Sequence, residues 1–124
     1  MIRLLVTGGR DYSDALKVDL ILGKYLKLAG PAVTDLLVIH GGARGLDTLA
    51  AEWCDRKGVP CIAMKAPWTA YNKAAGPIRN SWMIKYTNPT HCHVFPGGSG
   101  TEGTHKKAVE AGLVVRVTKA NPVE

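Results

Sequence analysis

Short apolar runs alternate with longer amphipathic stretches along this chain, and glycine pairs stand at the joints between them. Ile2–Thr7 is rich in β-formers and ends at Gly8-Gly9, which predicts a strand. Ser13 offers an N-cap for a helix running to Leu28, because Val18, Ile21, Leu22, Tyr25 and Ala29 recur at helical spacing and Gly30-Pro31 stops the run. Leu36–His40 predicts a second strand, closed by Gly41-Gly42. A second helix follows over Leu46–Lys57, with Leu46, Leu49, Ala50, Trp53 and Cys54 on one stripe and Gly58 as its stop. Pro60–Met64 is a short third strand, followed by a loop holding Trp68, Tyr71 and Gly76-Pro77. The spacing of Ile78, Trp82 and Tyr86 predicts a buried helical face over Ile78–Tyr86, which Asn88-Pro89 closes. His91–Phe95 is the fourth strand, Pro96–Gly100 its exit loop, Thr101–Ala111 a helix capped by Gly112, and Leu113–Val117 the last strand.

Strands alternating with helices through short connections imply an α/β fold: a small doubly wound, mostly parallel sheet of about five strands with helices on both faces. The 124 residues suffice for one domain, expected to span 1–124. The longest apolar runs, such as Leu36–Ile39 and Leu113–Val115, are too short to cross a bilayer, so no membrane partner is expected. The amino terminus turns polar and glycine-rich at once and reads as a strand, not a signal peptide, so cytoplasmic residence is the default expectation. Cys54, Cys61 and Cys92 form no CxxC pair, so neither a disulfide framework nor a zinc site is supported, and buried, unreactive thiols are expected. The net charge of +6 favours an anionic partner without choosing between a small phosphate ligand and nucleic acid, since the basic residues are scattered.

The candidate chemistry lies in the glycines. Gly8-Gly9, Gly41-Gly42 and Gly97-Gly98 each stand between a predicted strand and a predicted helix. There, a residue without a side chain lets backbone N–H groups approach an oxyanion, and the following helix presents its positive end. One such loop is also what a tight strand-to-helix turn needs, but three at one sheet edge point to phosphate binding. Pro96-Gly97-Gly98-Ser99-Gly100-Thr101 is the strongest, with Ser99 and Thr101 adding hydroxyl donors.

Four stretches carry a family resemblance: Thr7-Gly8-Gly9-Arg10-Asp11-Tyr12, His40-Gly41-Gly42-Ala43-Arg44-Gly45-Leu46-Asp47, Ala75-Gly76-Pro77-Ile78-Arg79-Asn80 and Phe95-Pro96-Gly97-Gly98-Ser99-Gly100-Thr101. By these the chain resembles the YspA-like branch of the SLOG superfamily, Rossmann-like proteins related to the lonely-guy nucleotide phosphoribohydrolases and the DNA-processing protein A family. The resemblance implies a nucleotide-ligand fold, whose superfamily includes hydrolases, ligand sensors and DNA binders. In the hydrolase relatives the phosphate loop reads PGGxGTxxE, and late-motif glutamates act with an arginine of the preceding helix. Arg79 matches that arginine. The two acidic positions after the loop are Gly103 and Thr104 here, and the nearby carboxylate is Glu102.

The residues read as follows. Arg10 would clamp phosphate and Asp11 a ribose hydroxyl, against a plain surface turn. Arg44 and Asp47 start the second helix, where Asp47 is equally an ordinary helix-dipole residue or a ligand contact. Arg79 and Asn80 suit phosphate or base recognition. Trp68 would stack on a base or cover the end of the sheet. His91 and His93 share one strand face with Cys92 on the other, and without a third ligand they read as packed, hydrogen-bonded side chains, so no metal and no cofactor are expected.

Three functions follow, in order. The first is a sensor or binding module for a nucleotide or nucleotide-derived ligand. The second is an N-glycosidic hydrolase acting on a nucleoside monophosphate, with Arg79 and Glu102 as its catalytic residues. The third is single-stranded DNA binding, with nucleic acid ranking below the small ligand as a partner. Relatives often pair subunits, and the apolar helices here would permit a homodimer.

Overall fold

The structure, a computed structural model, describes residues 1–120, so the last four residues of the expected domain lie outside it. Its strands are β1 (Ile2–Thr7), β2 (Leu36–His40), β3 (Cys61–Ala63), β4 (His91–Val94) and β5 (Val114–Val117). Its helices are α1 (Ala15–Ala29), α2 (Leu46–Lys57), α3 (Trp68–Tyr71), α4 (Ala75–Thr87) and α5 (Ser99–Glu110). The five strands form one sheet in the order β3-β2-β1-β4-β5, and every pairing is parallel.

β1 is central and covered on both faces, which is why it reads as an almost unbroken apolar run. Ile2, Leu4 and Val6 point to one side, where Val18, Leu22 and Tyr25 of α1 and Leu46, Ala50, Trp53 and Cys54 of α2 complete the main core. Leu5 points to the other side, with Ile39, Cys92 and Val94, and is covered by Met83 of α4 and Ala108 of α5. The result is three layers around a doubly wound sheet.

Most differences from the expected elements are local. Asp14, not Ser13, caps α1, its carboxylate accepting from the Lys17 N–H at 3.1 Å. The stretch expected to be a loop at Trp68 and Tyr71 forms the short α3, and Tyr71 packs edge-on against Trp82 with ring centroids 6.3 Å apart. α4 begins three residues early, taking Gly76-Pro77 into its first turn, where proline costs no hydrogen bond. Its buried residues are Ala75, Asn80 and Met83, while Tyr86 is 65% exposed and Ile78 and Trp82 are half-buried. The expected stripe of Ile78, Trp82 and Tyr86 counted only apolar residues and so passed over a buried asparagine.

The chain leaves β1 toward β2 and β3 on one side, then crosses back over β1 to β4 and β5 on the other. α1 and α5 therefore depart to opposite faces, and a crevice opens beyond the carboxyl ends of β1 and β4. The glycine loops border it.

Candidate functional site

The loops after β1 and β4 are held together by a hydrogen bond from the Gly9 N–H to the Pro96 carbonyl at 2.8 Å. They touch so closely that a Cβ on Gly97 would lie 2.7 Å from the Gly9 nitrogen and run into the Thr101 side chain. Two facing glycines are what that approach requires. α5 then starts at Ser99 without a side-chain cap on Gly98, and its first intrahelical bond runs from the Glu102 N–H to the Gly98 carbonyl at 3.0 Å. The N–H groups of Ser99, Gly100 and Thr101 thus have no partner within the helix and stand at its positive end. A Cβ on Gly98 or Gly100 would meet nothing within 4 Å, so the space above the loop is open.

The loop after β2 is different, because the backbone donors of Gly41, Gly42 and Ala43 are already spent. Oδ2 of Asp47 accepts from the Gly41 N–H at 3.2 Å and the Ala43 N–H at 3.1 Å, and Nδ1 of His40 accepts from the Gly42 N–H at 2.9 Å. Asp47 stands where an external anion would stand. Burial raises its carboxyl above the usual range, opposed by the Ala43 N–H, His40, Arg79 and the Gly41 N–H. Arg79 crosses from α4 to donate to the Gly41 carbonyl at 2.6 Å and, through Nε, to Oδ1 of Asn80 at 2.9 Å. A Cβ on Gly41 would collide with that guanidinium. Burial lowers the affinity of Arg79 for its proton, Asp47 opposes this, and Arg10 reinforces it. The Asn80 amide reaches the Gly100 carbonyl at 3.5 Å, which links α4 to the start of α5.

These elements enclose a cavity of about 670 Å³ over the crevice. Of the residues expected at the site, Gly8, Gly9, Arg10, Gly41, Asp47, Arg79, Asn80, Gly98, Ser99, Gly100 and Thr101 line it. Gly42 and Arg44 line an adjoining cavity of about 390 Å³. Gly97 does not line either cavity but packs against Gly9, where its lack of a side chain lets the two loops meet. Asp11 borders neither of these two cavities but faces Arg44 at 3.9 Å in an exposed pair. Glu102 is exposed and lines neither, whereas Gly103 and Thr104 do line the larger one.

Sequence reasoning passed over Lys65, Lys73, Thr104 and Lys107, all of which border these cavities. Helical spacing carried a signal for two of them, since Thr104 and Lys107 follow Gly100 at i+4 and i+7 on one face of α5. Lys65 comes from an irregular segment and Lys73 from the short 3-10 turn Asn72–Ala74, and neither carries such a signal.

His93 is buried, with Nδ1 2.8 Å from the Tyr25 hydroxyl and Nε2 2.7 Å from the Thr118 hydroxyl. Cys92 is buried on the opposite face of the sheet. The expectation of buried, unreactive thiols fails at Cys61, which is exposed because β3 is an edge strand. The neighbouring Cys54 thiol lowers the Cys61 pKa, against its desolvation and with help from His40. Among the described residues no cluster of His, Cys, Asp or Glu is placed to hold a metal ion, and no helix is long and apolar enough to cross a membrane.

With this geometry in place, comparison with known proteins gives three findings. The profile of the YspA, cpYpsA-related SLOG family matches residues 2–71. The Gene 61 protein of Mycobacterium phage D29 is 33% identical over 122 residues, covering 93% of this chain and 94% of the phage protein. DNA processing protein A from Streptococcus pneumoniae shares the fold, with a TM-score of 0.74 at 18% identity over 98% of this chain. This chain spans about half of that protein, 51% of its length.

Proposed function

The chain belongs to the YspA, cpYpsA-related SLOG family, and from that premise we propose that it binds a nucleotide or nucleotide-derived ligand in the cavity beyond β1 and β4, as a sensor or binding module. The observation that carries this reading is the open α5 start. Three unpartnered N–H groups and a helix dipole face a cavity whose wall also holds Arg10, Lys73, Arg79 and Lys107. Asp47 and His40 already accept from the Gly41, Gly42 and Ala43 N–H groups of the β2 loop, which favours Gly98–Thr101 as the phosphate seat. Asn80 and the ring of Trp68, 49% exposed on the same wall, suit a sugar or base.

Hydrolysis is the lesser reading. Glu102 is turned to solvent, and the cavity positions that follow the loop are Gly103 and Thr104. Asp47 is the carboxylate on that wall, and its Oδ2 is committed to two backbone donors. A catalyst of N-glycosidic cleavage needs a carboxylate near the ribose to support the developing positive charge. Native mass spectrometry against mono- and dinucleotides tests binding, and release of free base from the same panel tests hydrolysis. We expect adducts without base release. Absence of any adduct would sink the binding reading, and base release above background would restore the hydrolase.

A further inference from the structure

The two cavities share a wall formed by Arg10, Gly41, Ala43, Trp68 and Arg79. Six basic side chains border them, Arg10, Arg44, Lys65, Lys73, Arg79 and Lys107, against the single carboxylate of Asp47. Among the described residues only Arg44 of these six has an ion-pair partner, the exposed Asp11 at 3.9 Å. Gathering unpaired like charges destabilises a protein unless an anion joins them. One phosphate on the α5 start would leave Lys65 beside the β2 loop uncompensated, and Arg44 with only its exposed partner at 3.9 Å.

The fold fixes how far apart the two groups of cations lie. The α5 start sits at the end of β4; Arg44 follows β2, and the Lys65 side chain reaches back from the end of β3 to lie against Gly42, with β1 between the two places. Two strand spacings amount to about 10 Å. Phosphates that share a bridging oxygen cannot reach across that span, but phosphates on either side of a ribose come near it, and the long lysine and arginine side chains close the remainder. Arg79 stands on the shared wall, and its Nη2 has no protein acceptor among the described residues.

Resting on the nucleotide-binding reading above, we propose that both cavities form one site for a nucleotide whose two phosphates are separated by a ribose, as in a nucleoside 3′,5′-bisphosphate or a 5′-phosphorylated dinucleotide. One phosphate sits on the Gly98–Thr101 cradle, the other between Lys65 and Arg44. Trp68 and Arg79 flank the nucleoside that joins them.

Calorimetry with adenosine monophosphate, adenosine diphosphate, adenosine 3′,5′-bisphosphate and 5′-phosphorylated diadenylate, with guanosine counterparts, tests this. The bisphosphate and the dinucleotide should bind at least about tenfold tighter than the monophosphate, the gain of one charge-assisted seat. The diphosphate, whose phosphates are adjacent, should gain less. In Lys65→Ala that difference between bisphosphate and monophosphate should shrink about tenfold. Equal binding of mono- and bisphosphate, or equal gain from the diphosphate, overturns the proposal and leaves the nucleotide site standing. Affinity for deoxythymidine oligomers that keeps rising with length and falls steeply with salt overturns it in favour of strand binding. No binding by any member overturns both readings.

Discussion

At the scale of single residues, the chemistry divides between groups the fold has neutralised and groups it has left reactive. Cys61 belongs to the second kind. Its neighbours Cys54 and His40 hold its thiol below the usual range, while Cys61 first and burial second raise Cys54, and burial pushes Cys92 up to about 12. Iodoacetamide at pH 6.5 should therefore label Cys61 well before the other two, as read by peptide mass spectrometry, and equal labelling would contradict the assignment. His93 belongs to the first kind. Burial first, and Arg116 second, lower its pKa to about 4. An unfolded histidine titrates near 6.5, so the unfolded state binds more protons between those values, and stability rises with pH across that window. The contribution is complete above about pH 6.5 and is lost on acidification toward 4. It should amount to about 1–2 kcal/mol after discounting for solvent screening. Thermal unfolding followed from pH 6.5 to 4 should show a shallower decline in His93→Asn than in the parent. The alternation of His91, Cys92 and His93 already showed in the sequence that the two histidines would share one face and Cys92 take the other. It did not show that Cys61 would be exposed, because edge position in a sheet depends on strand order.

At the scale of elements, α5 supplies much of the cavity wall. Its start was legible as the glycine loop, since Gly97 and Gly98 need no partner to be recognised. The wall it presents was only partly legible. Glu102 stood out as the nearest carboxylate, yet one residue on a helix turns a side chain by about 100°, and that places Glu102 in solvent while Gly103 faces the cavity. A pair of variants exploits this difference. Gly103→Glu meets open space and replaces a poor helix former, so it should hold or raise the melting temperature. It nevertheless sets a negative charge on the cavity wall and should weaken nucleotide binding by roughly tenfold. Glu102→Gln should change binding less than twofold. If the two variants behave alike in calorimetry, the orientation of this helix face is wrong. α4 was the least legible helix, because its buried side includes Asn80, a residue that hydrophobic patterning excludes and that lines the cavity.

At the scale of the whole molecule, the order β3-β2-β1-β4-β5 gathers loops separated by up to 90 residues of sequence, from Gly8 to Gly98, at one edge. The alternation of strands and helices predicted that convergence. What it could not predict is the division of labour among the loops. The β2 loop folds around its own carboxylate, the β1 loop is tied to the β4 loop, and the β4 loop leads into the open helix start. The net charge of +6 was equally uninformative until the fold placed six basic side chains around the two adjoining cavities. The most direct test of this account is calorimetric titration of Gly98→Phe beside the parent chain. The substitution adds a ring in open space at a backbone φ of −99°, which any residue adopts, so the melting temperature should stay within a few degrees. The ring would occupy the phosphate position, and nucleotide affinity should fall by at least about a hundredfold, two lost charge-assisted hydrogen bonds' worth. A folded Gly98→Phe variant that binds nucleotide as tightly as the parent would contradict the account.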